Sequence, residues 1–172
     1  MIAVHRDGPE QQRRRMVDSF EQIRDLPYHI SIAGEQDFSC VTKSQLLHEA
    51  LKEIGVQSRF VTCSFYWSRL DLPRELMKLP HDGLAYHQFL EVQVPESGTW
   101  VDVDPTWDSK LARILPVAHW DGKSSTTCAV PILRRWYEDE KEYLVDAREN
   151  CFDRKTARFM EAFNSFLASA RR

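Results

Sequence analysis

No run of 18 apolar residues occurs anywhere in this 172-residue chain, so a membrane-spanning helix is not expected. Its opening, Met1-Ile-Ala-Val-His-Arg, holds no apolar signal core, and the expected location is the cytoplasm. Cysteine is scarce. The four thiols, Cys40, Cys63, Cys128 and Cys151, form no C-x-x-C pair, which excludes a disulfide scaffold and the ligand spacing of structural zinc. Reduced thiols, no metal and no cofactor are the expectation. An excess of one charge is also missing: 23 basic against 26 acidic residues give a net charge of −3. A nucleic acid or an anionic lipid surface is therefore not an expected partner. The run Arg13–Arg15 reads as a solvated helix face. Only six glycines are present, and none belongs to a phosphate-binding loop. Neither internal repeats nor low-complexity stretches break the chain, so 1–172 reads as one domain.

What is present is enough apolar sequence for a real core, 42% of the residues, and periodicities that switch between helix and strand. Residues 9–25 read as an amphipathic helix with Met16, Val17, Phe20 and Ile23 near one face, stopped by Pro27. After a connecting stretch, Tyr28–Asp37, a second helix has Ser39 as its N-cap and Gly55 at its end. Leu46, Leu47, Ala50, Leu51 and Ile54 are assigned to its buried face. Arg59–Trp67 is rich in aromatic and β-branched residues and reads as a strand. The stretch with Pro73, Pro80 and Gly83 is long enough for a lid or cleft wall. Tyr86–Val94 and Thr99–Val103 read as a hairpin about the turn PESG, with His87, Phe89 and Glu91 on one face. Residues 113–132 look irregular or strand-like. Helices are expected over 133–148 and 153–170, the last burying Phe159, Met160, Phe163, Phe166 and Leu167. The fold class is α+β.

Three segments carry chemistry: DFSCVTKSQLL around Cys40, YHQFLEV around His87, and WVDVDPTWD around Asp104. A thiol reacts as thiolate, and a helix N-terminus with a histidine partner favours that form. Cys40 directly follows the N-cap. His87 would take the thiol proton and return it to a leaving group, and an aspartate would orient the imidazole. Asp104 lies 17 residues beyond His87, a separation that suits neighbouring antiparallel strands. Asp102 and Asp108 crowd it and are alternatives for the orienting role, though solvated or turn positions suit them better, Asp108 as a cap. The Cys40 backbone N–H is the natural first donor to an oxyanion, with Gln36 a weak second. Trp67, Trp100 and Trp107 bracket the site and either wall a cleft or fill the core. Cys63, Cys128 and Cys151 read as packing thiols. Lys43, one turn beyond Cys40, reads as a surface lysine. The remaining histidines read as surface or loop residues.

As a set these segments resemble the transglutaminase-like branch of the papain-related cysteine enzymes. IRDLPYHI looks like that family's arginine–aspartate–tyrosine approach segment. The run Cys40, Lys43, Leu46, Leu47, Leu51, Gly55 and Arg59 is similar to its nucleophile helix. His87 with Glu91 and Val92 matches its histidine strand, and Trp100, Asp104, Pro105 and Thr106 match its aspartate segment. Phe89 stands where many relatives have tryptophan, and Ser39 where glycine is common. The resemblance implies a nucleophile-bearing helix packed on an antiparallel sheet, with extra N- and C-terminal helices here. It makes Asp104, rather than Asp102, the third member of a Cys-His-Asp triad acting through a thioester intermediate. Zinc-binding cysteine pairs of the glycan-removing members and the β-sandwich domains of the large crosslinking members are absent.

The expectation is thus a cysteine hydrolase or acyltransferase acting on a peptide, protein or small amide or thioester, with hydrolysis slightly favoured. A non-catalytic peptide- or partner-binding module is the alternative, although it has no chemical need for all three residues. An arylamine-type N-acetyltransferase would use an equivalent triad but needs a coenzyme A site. Oligomeric state is not legible.

Overall fold

The computed structural model describes residues 8–137 and 154–172. They form an α+β structure whose centre is a four-stranded antiparallel sheet: β1 (Ser58–Tyr66), β2 (Leu84–Gln93), β3 (Trp100–Val103) and β4 (Arg134–Tyr137), in the spatial order β3-β2-β1-β4. Helices α1 (Pro9–Arg24) and α2 (Cys40–Glu53) precede the sheet, α3 (Arg74–Met77) lies in the β1–β2 connection, and α4 (Arg154–Ala170) follows β4 in sequence.

The sheet divides two apolar clusters by strand alternation. On one face Leu90, Val92, Val101 and Val103 meet Met16 and Phe20 of α1 and Leu47 and Leu51 of α2. On the other, Val61, Cys63, Phe65 and Phe89 meet Phe159, Phe163 and Leu167 of α4, along with Tyr28, Trp67 and Trp107. Val94 and Thr99 close the β2–β3 hairpin, and Gly98 takes the left-handed conformation its turn requires, φ 70°. Gly55 does the same beyond α2, at φ 81°.

Three sequence expectations are corrected. Residues 134–137 are a strand rather than the start of a helix over 133–148. Trp136 pairs opposite Thr62, and Arg135 opposite Cys63, so sheet pairing overrides local helix propensity. The rest of that expected helix lies outside the described residues. On α2 the buried line is Cys40, Lys43, Ser44, Leu47 and Leu51, while Leu46 is exposed. With Leu47 and Leu51 inside, residues one turn earlier on the same face are 43 and 44, and Leu46 stands about 100° away. Lys43 is therefore not a surface lysine: it is 0% exposed.

Register places the site. β3 pairs with β2 only from Leu90 to Gln93, leaving the β2 edge open from Leu84 to Phe89. The first turn of α2 lies against this stretch, where Ser44 Oγ donates to the Gln88 carbonyl at 3.1 Å. The chain leaving β3 carries Asp104 to the same place.

Candidate active site

His87 is 3% exposed, and its Nε2 lies 2.7 Å from Asp104 Oδ2. A carboxylate only accepts, so Nε2–H donates and Nδ1 is left to exchange a proton with a thiol. The Asp104 carboxylate is fixed on both oxygens: the Ala129 N–H reaches Oδ2 at 2.7 Å and the Thr106 N–H reaches Oδ1 at 3.1 Å. Segment 124–130 supplies the first of these. It runs beside β3 through the Thr126 N–H bonded to the Asp102 carbonyl and the Asp104 N–H bonded to Thr126 Oγ1.

Burial opposes the charged imidazole, yet the adjoining carboxylate outweighs it and holds the His87 pKa well above its ordinary value. Burial likewise opposes the charged Asp104, but the His87 charge and the hydrogen bonds it receives keep its pKa low. The two residues stand as an imidazolium–carboxylate pair.

Two thiols lie beside this imidazole: the Cys128 sulfur is within 4.8 Å of a ring nitrogen, and Cys40 borders the same cavity. Both act to raise the His87 pKa. Cys40 is the first residue of α2, and it lines, together with His87, a cavity of about 320 Å³. Cys128 is different. A hydrogen bond with Cys63 and its burial both push its thiol pKa far up, against the pull of His87. Cys40, Cys63 and Cys128 are all free thiols. The donor atoms of His87, Asp104 and Cys128 lie within 4.8 Å of one another, a set able to ligate a metal ion. The ring nitrogen and carboxylate oxygen of that set are already bonded to each other, and the Cys128 thiol is held in its protonated form.

The helix start is organised by Asp37. Its carboxylate accepts from the Ser39 N–H at 3.1 Å, from Ser39 Oγ at 2.7 Å and from Thr42 Oγ1. Ser39 occupies the N-cap position, but its hydroxyl turns to Asp37 instead of capping the helix. Burial and the neighbouring Cys40, Asp37 and Asp104 raise the pKa of the Tyr28 hydroxyl and hold it neutral, against the opposite pull of the Cys40 N–H. Tyr28 therefore sits beside the thiol, a position that nothing in its own spacing announces.

Of the other residues singled out in sequence, Trp67 and Trp107 line the cavity. Trp100 does not. It is 37% exposed, at the start of β3, where the Arg59 guanidinium lies 4.5 Å from its ring. Gln36 is exposed and lines no part of the cavity, so the weak second oxyanion donor assigned to it is withdrawn. Asp102 is paired with Arg135 at 3.1 Å rather than solvated, part of a cluster in which Arg135 and Arg59 also hold Glu91. Asp108 is buried: its carboxylate accepts from the Tyr28 N–H and pairs with Arg171 at 2.8 Å, leaving no side-chain cap for the turn that follows.

Lys43 ties these parts together. Its Nζ donates to the Arg24 carbonyl at 2.7 Å and the Thr106 carbonyl at 2.8 Å, bridging the end of α1, α2 and the Asp104 loop. Burial brings its pKa down to about 7. Arg24 is buried too, donating to the Ala118 carbonyl and pairing with Asp25, whose Oδ1 accepts from the Ser109 N–H. The Arg24–Asp25 dipeptide is thus structural support for the loop that presents Asp104.

Comparison with family models, with curated proteins and with solved structures finds no match. Among the described residues, no helix is long and apolar enough to cross a membrane.

Proposed function

We propose that the chain is a cysteine-dependent acyl-transfer enzyme of the transglutaminase-like kind, with Cys40 as nucleophile, His87 as base and acid, and Asp104 as the residue that orients His87. The observation that carries this reading is the position of one buried imidazole. It is bonded through Nε2 to a carboxylate with three N–H partners, it meets a helix-N-terminal thiol, and it opens on a cavity.

The step follows from the groups. The Cys40 sulfur attacks an amide or thioester carbonyl and forms an S–C bond, while the carbon–nitrogen or carbon–sulfur bond of the substrate breaks. His87, which as imidazolium already holds at Nδ1 the proton given up by the thiol, passes it to the leaving amine or thiol. Water or a second amine then attacks the thioester and regenerates the thiol. Asp104 keeps Nε2–H engaged throughout, so Nδ1 faces the sulfur and the leaving group. The tetrahedral oxyanion needs donors. The Cys40 N–H supplies one, and the Tyr28 O–H, neutral at working pH, supplies a second.

Incubation with p-nitrophenyl esters and with acyl thioesters, read by intact mass and peptide mapping, tests the reading. A hydroxylamine-labile acyl adduct on Cys40 is expected, absent in Cys40→Ala. An adduct on any other residue, or none with any acyl donor, would contradict it. Acetyl-coenzyme A belongs in the panel: exclusive acylation by that donor would make the protein an arylamine-type acetyltransferase.

A further inference from the structure

Cys128 takes no part in the proposed reaction, but its sulfur completes a set of metal-binding atoms. One donor atom each from His87, Asp104 and Cys128 lies within 4.8 Å of the other two. Ligands at about 2.0–2.3 Å in a tetrahedron around Zn²⁺ stand about 3.3–3.8 Å apart, so the set is within about 1.5 Å of that spacing. The positions are also fixed. His87 and Asp104 are buried, and the Ala129 and Thr106 N–H groups hold the carboxylate, as outer partners hold the ligands of a metal site. Cys128 immediately precedes Ala129, so the segment that anchors Asp104 also brings the sulfur. The set is reachable without passing Cys40. Cys128 is half-buried and borders a second cavity, of about 440 Å³, whereas His87 opens on the cavity it shares with Cys40, and Val130 lines both.

We infer that His87, Asp104 and Cys128 form a binding site for a divalent transition ion of the zinc kind, and that this ion and the triad exclude each other. Donor chemistry selects the ion. A thiolate with an imidazole and a carboxylate suits Zn²⁺, while Mg²⁺ and Ca²⁺ prefer oxygen ligands alone. The protons balance in the exchange. A metal ion deprotonates the thiol it binds, and it replaces the proton on the ring nitrogen it ligates, so an imidazolium and a thiol give up two protons for one ion. The carboxylate that oriented Nε2 becomes a ligand as well. With ring and carboxylate both engaged, His87 no longer carries a proton between Cys40 and a leaving group. Occupancy is thus a reversible off-state of the reaction. That effect rests on the acyl-transfer reading above, and the site itself does not.

The test uses Zn²⁺ and Co²⁺ alone on the reduced chain. Zn²⁺ binding is read by calorimetry, and Co²⁺ binding by its thiolate charge-transfer band and the d–d bands of tetrahedral coordination. One equivalent of ion is expected to bind and to give both features. Cys128→Ala should remove the charge-transfer band and weaken Zn²⁺ by about tenfold or more, Asp104→Asn should weaken it by a similar factor, and Cys40→Ala should keep the band. One equivalent of Zn²⁺ should also slow iodoacetamide labelling of Cys40 by about tenfold in the wild type and not in Cys128→Ala. A band that survives Cys128→Ala and vanishes with Cys40→Ala would put the ion on the nucleophile and overturn the site, as would no band at all. A band unchanged by His87→Ala would put the ion on Cys128 and Cys63 and overturn it too. Binding as expected, with metal-free Cys40 labelling indifferent to His87→Ala, would uphold the site and overturn the acyl-transfer reading instead.

Discussion

Cys40 and Cys128 lie beside the same imidazole in different surroundings, and the proposed reaction uses only Cys40. Cys40 begins a helix, borders a cavity and follows an Asp37-organised turn. Cys128 is held by Cys63 and by burial in its protonated form. Both thiols border cavities, Cys40 the one it shares with His87 and Cys128 a second of about 440 Å³ lined also by Leu115 and Pro131. What sets them apart is the helix start and the cavity shared with His87 on one side, and the Cys63 contact that keeps the thiol protonated on the other.

The largest expected effect comes from exchanging the two thiols' fates. Cys40→Ala should abolish acyl-adduct formation, with no adduct migrating to Cys128. Intact mass and circular dichroism read the loss and the retained fold. His87→Ala should slow Cys40 acylation by about 10²–10⁴-fold near neutral pH, because the thiol loses its proton acceptor. Stopped-flow release of p-nitrophenol measures it. Two aspartates sharpen the same contrast. Asp104→Asn should cost on the order of 10²-fold in that rate. Asp102→Asn should stay within about threefold, because it loses only a half-exposed pair with Arg135, worth ~0–1 kcal/mol. Comparable losses from both would remove the orienting role from Asp104. Cys128→Ala should alter Cys40 acylation by no more than about threefold, since the proposed reaction makes no use of that thiol.

The smallest effect concerns Lys43, the buried cation behind the site. Its folded pKa, about 7, lies below the ordinary lysine value of 10.5. Between those values the unfolded chain binds more protons, so this group makes stability rise with pH across that window. Its penalty is fully present below it. Urea unfolding at several pH values should show this rise in the wild type and a flatter profile in Lys43→Met.

The element boundaries were largely legible because they rest on local signals. Pro27 and Gly55 punctuate α1 and α2, alternation marks β1 and β2, and the PESG turn joins β2 to β3. The transverse features were not. Nothing local says that Arg134–Tyr137 pairs with β1, because that strand is short and its stabilisation lies in its neighbour. Lys43 looked solvated because burial of a lysine depends on two carbonyls, those of Arg24 and Thr106, distant in sequence. The proximity of Cys40, His87 and Asp104 follows the order of the segments and the 17-residue hairpin spacing. The Tyr28 hydroxyl, the Ala129 N–H and the Cys63–Cys128 pair could not be found that way. They arrive at the site through loops whose course only tertiary packing decides.

The most direct test of the account is the rate of iodoacetamide alkylation at Cys40 and Cys128 of the same protein, followed against pH by peptide mass mapping in wild type and His87→Ala. The account predicts Cys40 labelling that is fast and falls in the variant, with Cys128 unlabelled until well above the ordinary thiol range near 8.5. Cys40 labelling that is as slow as that of Cys128 and ignores the loss of His87 would contradict it, and would leave the cavity as a binding site without a working nucleophile.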